Sequence, residues 1–260
     1  MQPNVADLLQ TACAASLEAG EAIMKVYASG NFTPTYKADN SPVTVADQAA
    51  HDIIIKHLLP TGISILSEEG KHAHYISRRD WEWFWLVDPM DGTKEFVKRS
   101  GEFTVNIALM HRSIPLAGVV YAPVPDVLYF AGPESEAKKT EKGKTSSLEK
   151  LSEQNSLDRI LQKQEVTAIV SKSHKNAETL EFLKQFKNVQ PTTMGSSLKF
   201  MLLAENKADI YPRFAPTMEW DTAAAHAILR ALGRGIYHTN LQTELTYNKE
   251  DLLNPFFVAF

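Results

Sequence analysis

The segment "DPMDG", residues 88–92, sets two carboxylates three residues apart around a proline and in front of a glycine. It follows the apolar run "WFWLV" (83–87), just as the acids of "SEEG" (67–70) follow the apolar "ISIL" (63–66). A further acid, Asp221, opens the helical pattern "WDTAAAHAIL". Groups at strand exits gather along one edge of an α/β sheet, where ligand sites form. Pro89 restricts φ and Gly92 admits conformations closed to other residues, so the spacing predicts a tight turn aiming Asp88 and Asp91 at one point. The chain after it, "GTKEF", would turn backbone N–H groups toward an anion if a helix starts there. Converging carboxylates repel unless a divalent cation neutralises them. An all-oxygen set with no His or Cys at matching spacing points to Mg2+, with Mn2+ as the alternative, and not to zinc. The chemistry indicated is metal-assisted phosphate ester hydrolysis.

Each feature has an ordinary explanation when taken singly. A D-x-x-D pair usually makes a turn or a cap, Thr44 with Asp47 reads as a capping box, and Asp221 can cap its own helix. Their occurrence together, in order along the chain, weighs against that reading. Other features keep the ordinary one. His72 and His74 lack a third ligand, the alternating Trp81, Trp83 and Trp85 suit packing on one strand face, and the lone Cys13 lies within a helical pattern.

The elements that must hold these residues follow from periodicity. Asn4 caps a helix that Gly30 stops, Thr44 opens a second, and "FTVNIALMH", "LAGVVYAPV" and "VLYFAG" read as a strand meander. From Ala131 to Ser147, where there is no large apolar side chain and Lys and Glu are interspersed, the pattern predicts a solvated loop or lobe boundary. Beyond it "VTAIVSKS" reads as a strand, "KNAETLEFLKQF" and "SSLKFMLLAENKA" as helices, "DIYPRF" as a strand and "WDTAAAHAILRALG" as a helix, an alternation typical of layered α/β units. The chain has 260 residues and a net charge of −4, which argues against a nucleic-acid-binding surface. With no long apolar run, no signal-peptide pattern and one cysteine, a cytoplasmic location is expected.

"DPMDGTKEF", "SEEG" and "WDTAAAHAIL" resemble the three signature segments of the inositol monophosphatase superfamily of metal-dependent, lithium-sensitive phosphatases, and "KADNSPVTVAD" (37–47) resembles the segment that precedes them. "GEFTVNIAL", "GVVYAPV", "GSSLKF", "YPRF" and "LLNP" extend the resemblance over nearly the whole chain, toward that superfamily's bacterial 3'(2'),5'-bisphosphate nucleotidases. The resemblance implies a layered αβαβα sandwich in two lobes. Residues 1–132 would carry most metal ligands, and 133–260 would carry Asp221 and the nucleotide pocket. It implies that Glu68, Asp88 and the Met90 carbonyl bind one Mg2+, and that Asp88, Asp91 and Asp221 bind a second, with two or three ions in turnover. Thr93, backed by Asp47, would deprotonate or align the attacking water, with Glu68 among the catalytic groups. Gly92 would line the reacting phosphate with these residues. Ser196 and Lys199, predicted on one helix face, would hold the phosphate that is not cleaved together with Arg213, with His174 near the nucleotide. The activity implied is removal of the 3'-phosphate of 3'-phosphoadenosine 5'-phosphate, giving AMP and supporting sulfur assimilation. Inositol monophosphatase activity is the alternative. The partner expected is a small nucleotide bisphosphate, not nucleic acid; loose association with the inner face of the membrane is compatible with the resemblance, without a transmembrane span.

Overall fold

Asn4 starts the first helix as expected: its side-chain oxygen accepts the N–H groups of Ala6 and Asp7 at 3.1 and 3.4 Å. Helix α1 (Val5–Ser29) ends at Gly30, whose φ of 63° is left-handed. The computed structural model describes residues 3–30, 35–36, 42–133, 135–151, 157–170 and 177–260. Two short strands, β1 (Thr35–Tyr36) and β2 (Pro42–Val43), pair antiparallel before α2 (Val45–Leu58).

The main sheet is built next. Strand β3 (Ser64–Ser67) is followed by α3 (Tyr75–Arg78), β4 (Trp83–Asp91), α4 (Thr93–Val97), β5 (Thr104–His111), β6 (Ile114–Ala122) and β7 (Val127–Gly132). Then come β8 (Ser135–Glu141) and β9 (Lys144–Ser147). Among the described residues the order is β3-β4-β5-β6-β7-β8-β9, with β3 and β4 parallel and the later pairs antiparallel. The segment read as a solvated loop between Ala131 and Ser147 is therefore a hairpin that extends the sheet. It looks like a loop because it is an edge: β9 is exposed throughout, and Lys and Glu on edge strands discourage pairing with other chains.

Both faces of the sheet are covered, which is why its strands are apolar without alternation. Trp85, Val87, Ile107 and Val119 pack with the buried stripe Leu9, Ala12, Ala15, Ala19 and Ile23 of α1. Phe84, Leu86, Ala108 and Val120 point the other way, into a core shared with later elements. Trp83 lies on the α1 side with Trp85, but Trp81 precedes β4 and packs in the opposite core, 5.8 Å from Phe84, so the three tryptophans do not share one face.

The second half supplies α5 (Leu157–Leu161), β10 (Val166–Ile169), α6 (Ala177–Leu183), β11 (Val189–Thr192), α7 (Leu198–Ala204), β12 (Tyr211–Arg213), α8 (Glu219–Ala231), β13 (Ile236–His238) and β14 (Phe257–Ala259). Strands β10 and β11 pair in parallel, β12 and β13 flank β14, and a bridge from Ala168 to Ile210 links the two groups. Ile169, Phe257 and Ala259 face α7 and α8, whereas Ala168, Val170 and Val258 face Ile160 of α5 and Leu183 of α6. Five layers result: helices, sheet, helices, sheet, helices. The layering places α8 against β4, β5, β6 and β7. "TAAAHA" makes this approach close: a Cβ built on Gly118 of β6 would lie 2.1 Å from the Ala224 carbonyl. No helix of the described residues is long and apolar enough to cross a membrane.

Candidate active site

The carboxylates of "DPMDG" are presented by a bulge and not by the tight turn the sequence predicts. Asp88 pairs with Asn106 and Asp91 with Thr104, so β4 spends three steps where β5 spends two. One extra residue bends the strand and turns both acids toward the same side. Gly92, at φ 96°, then begins α4, and its left-handed backbone runs so close to Glu102 that a Cβ would meet that residue's carbonyl oxygen at 3.0 Å.

Helix α8 brings Asp221 to the same place. One oxygen from each of Asp88, Asp91 and Asp221 lies within 4.8 Å of the others. At that separation each ionised pair repels by on the order of 3 kcal/mol at an effective dielectric of about 20. Burial, followed by Glu68, Asp91 and Asp221, pushes the Asp88 carboxyl well above its ordinary range. Burial and Asp91 likewise raise Asp221, against the pull of the Met218 N–H and of Arg213. Glu68, at the exit of β3, also hydrogen-bonds Asp88. Such a set of hard oxygen donors with too little positive charge fits a divalent cation of the Mg2+ type.

A carboxylate has two oxygens, so an acid that caps a helix can serve the site as well. Asp221 Oδ2 accepts the Met218 N–H at 2.8 Å, closing the first turn of α8, while the residue also joins the cluster. Asp47 Oδ2 accepts the Thr44 N–H at 2.6 Å and the Thr44 hydroxyl at 2.8 Å, closing the capping box of α2. Its other oxygen accepts the Thr93 hydroxyl at 3.1 Å. That hydroxyl also lies 3.4 Å from the Met90 carbonyl oxygen. Burial lifts the Asp47 carboxyl to about 6; the Thr44 hydrogen bonds oppose this, and the nearby Glu69 charge adds to it.

Ser196 departs from its predicted place. It precedes α7 with a left-handed backbone (φ 53°), so it shares no helix face with Lys199. Its hydroxyl donates to Asp91 Oδ2 at 2.8 Å, and the Ser197 hydroxyl lies between the same oxygen at 2.9 Å and the Asp221 carbonyl at 2.8 Å. Asn106 donates to Ser197 at 2.9 Å, and Thr104 lies 2.6 Å from Ser196. Ser197, Thr104 and Asn106 thus hold Asp91, and the sequence reading missed all three. The available signal was two polar residues at alternate positions of an otherwise apolar strand, which must point one way and be satisfied there. Lys199 Nζ donates to the Ser196 carbonyl at 3.1 Å. Arg213, on β12, donates through Nη2 to the Pro216 carbonyl at 3.2 Å, and its Nε is buried without a partner among the described residues. His174 lies outside the described residues. His72 Nε2 donates to the Ser67 carbonyl at 3.0 Å.

The profile of the inositol monophosphatase family matches residues 4–255. The chain belongs to that family. It is a hydrolase and a phosphatase of the inositol monophosphatase superfamily, and its relatives within the family narrow the likeness. It is 44% identical over 254 residues to the 3'(2'),5'-bisphosphate nucleotidase CysQ of Salmonella typhimurium, covering 96% of this chain and 98% of that protein. It is 44% identical to the CysQ of Bacteroides thetaiotaomicron, described as a bacterial member of the inositol monophosphatase family, whose crystal structure superposes with a TM-score of 0.81 over 97% of this chain and 96% of that one. The suppressor protein SuhB of Bartonella henselae shares the fold, with a TM-score of 0.74 at 21% identity, over 97% of this chain and 93% of that one.

Proposed function

We propose that this enzyme hydrolyses the 3'-phosphate of 3'-phosphoadenosine 5'-phosphate in a Mg2+-dependent reaction, giving AMP and phosphate and serving sulfur assimilation. The observation that carries the reading is the near-full-length similarity to bisphosphate nucleotidases. The aspartate cluster and a partly unpaired arginine beside it agree with that reading. Glu68, Asp88, the Met90 carbonyl, Asp91 and Asp221 would hold the ions. Mg2+ held there would offset the carboxylate charge and supply Lewis acidity for the phosphate ester and the attacking water.

The protein's own groups do the rest. Thr93 is a weak base alone, but its hydroxyl donates to Asp47, which leaves its lone pairs to accept from the attacking water. Asp47, lifted to about 6, is poised to take a proton relayed through that hydroxyl. Asp91 is oriented by the Ser196 hydroxyl, with that of Ser197 beside it. Gly92 opens α4 with no side chain over its first N–H groups, leaving room for the reacting phosphate. Arg213 and Lys199 bind the second phosphate, and Arg213 Nε gains a partner when they do.

The reading is tested by phosphate release from 3'-phosphoadenosine 5'-phosphate and from inositol monophosphate at equal Mg2+. A kcat/KM at least tenfold higher on the nucleotide is expected. A preference for the inositol ester would move the chain to the family's other activity.

A further inference from the structure

A second cluster of cations lies away from the aspartates, around a cavity of about 240 Å3 lined by Arg159, Ile160, Lys163, Asn206, Asp209 and Arg234, among others. Arg234 follows the far end of α8, thirteen residues after Asp221. The helix from Asp221 to Ala231 alone spans about 15 Å at a rise of about 1.5 Å per residue, which sets Arg234 at the opposite end of α8 from the aspartates. It is 7% exposed. Its Nη2 donates to Asn206 Oδ1 at 2.8 Å, and its Nη1 is buried without a partner among the described residues. A buried guanidinium nitrogen left unpaired costs stability unless something meets it. The acid in the cavity wall does not: Asp209 gives one oxygen to Lys163 and the other to the Thr167 N–H at 2.8 Å. Glu149, the other lining acid, is exposed and meets Asn206 at 3.4 Å. Burial holds the Arg234 guanidinium below its ordinary range; the charge of Asp209 opposes this and the like charge of Arg159 adds to it. Among the described lining residues, Arg159, Lys163 and Arg234 outnumber Asp209 and Glu149, in a chain whose net charge is −4.

We propose that this cavity is a separate binding site for a small tetrahedral oxyanion of the sulfate or phosphate class. Arg234 Nη1 donates to it from the buried side, and Arg159 and Lys163 close on it from the exposed side. Guanidinium forks match such oxygens, and charge-assisted hydrogen bonds to them are the strong kind. The site is independent of the reading of the aspartate cluster, since it shares no residue with it.

The test is calorimetric titration of sodium sulfate into the Mg2+-loaded protein, with sodium chloride at matched ionic strength as control. Sulfate should bind where chloride does not. Arg159 and Lys163 are exposed, so the double variant Arg159→Gln/Lys163→Gln keeps its fold and should raise the sulfate Kd at least about tenfold. Arg234→Gln should do the same, and Arg213→Ala at the candidate active site should leave this Kd unchanged. Titration with AMP distinguishes a free oxyanion from one carried on a nucleotide: tighter binding of AMP, lost in the double variant, assigns the site to a nucleotide phosphate. Equal heats for sulfate and chloride, an unchanged Kd in the double variant, or a loss that follows Arg213→Ala would each overturn the proposal.

Discussion

The Thr93 hydroxyl donates to Asp47 Oδ1 at 3.1 Å while Asp47 Oδ2 is held by the backbone and side chain of Thr44. A helix cap thereby fixes the rotamer of the acid that faces the candidate nucleophile-aligning hydroxyl. Asp47→Asn retains an oxygen for the Thr44 N–H, so the melting temperature should shift little. Turnover should drop by roughly 10²- to 10⁴-fold, the usual scale of a lost general base. Calorimetry and kcat measured on one preparation check both halves. Full turnover with a lowered melting temperature would leave Asp47 as a cap and nothing more.

Asp88 is 1% exposed among Glu68, Asp91 and Asp221, so its charge is unfavourable until a cation arrives. Asp88→Asn should therefore make the metal-free protein more stable, abolish the gain in melting temperature on adding Mg2+, and remove nearly all activity. Thermal unfolding with and without Mg2+ reads this directly. A variant still stabilised by Mg2+ as strongly as wild type would place the ion elsewhere. The family resemblance adds that lithium should inhibit at concentrations where sodium has no effect.

How far the site could be read from sequence depended on which residues share an element. Asp88, Asp91, Glu68 and Asp221 were legible because each stands next to a strongly apolar strand or helix. The bulge that aims Asp88 and Asp91 was not, since it exists only in register with Asn106 and Thr104, eighteen and thirteen residues further on. Ser196 was misplaced by its helical neighbours: the two residues after Gly195 read as helix, yet α7 begins at Leu198. Gly195 explains the offset, since a Cβ there would lie 2.7 Å from the Glu102 side chain. The close contact sets the path of the chain before the helix starts. In the fold, the strands with both faces covered were plain. Those missed were β8 and β9, polar at an open edge, and β1, β2, β11, β13 and β14, of two to four residues each.

Gly118 offers a test of how the fold sets the site. Its missing Cβ lets α8 lie against β6, and α8 carries Asp221. Gly118→Ala should lower stability by about 1–3 kcal/mol through overpacking and weaken Mg2+ binding as α8 shifts. Calorimetric unfolding and Mg2+ titration should change together. Lost stability with wild-type Mg2+ affinity would mean the helix accommodates the methyl without moving its start.

Glu205 gives a pH dependence away from the metal. Burial of this carboxyl acts to raise its pKa, but Lys139 at 2.8 Å, Lys207 and the Tyr129 hydroxyl at 2.6 Å overcome that and bring it to about 2, from 4.5. A depressed folded-state value stabilises the fold above the unfolded value. The contribution, up to about 3 kcal/mol, is complete above pH 4.5 and fades as pH falls toward 2. Glu205→Gln should thus be less stable than wild type at pH 7, with the gap closing between pH 4.5 and 2. Denaturant unfolding across that window measures it; a gap independent of pH would assign the loss to packing.

The substrate assignment is where the family leaves most open, and Arg213 and Lys199 decide it. Arg213 sits near enough to Asp221 to oppose the rise of its carboxyl, and its Nε has no partner among the described residues. It thus has both charge and a free donor for a phosphate next to the reacting one. A charge-assisted hydrogen bond contributes about 1.5–3 kcal/mol, which is roughly 10- to 150-fold in kcat/KM. Arg213→Ala and Lys199→Ala should each lower kcat/KM on 3'-phosphoadenosine 5'-phosphate by that order. A simple monophosphate ester has no second phosphate to lose, so its slower hydrolysis should change little. The measurement is kcat/KM on both substrates for wild type and both variants. Selective loss on the bisphosphate assigns the cations to the 5'-phosphate. Equal loss on both would mean that they serve the reacting phosphate or the fold, and the enzyme would then stand only as a metal-dependent phosphatase of its family.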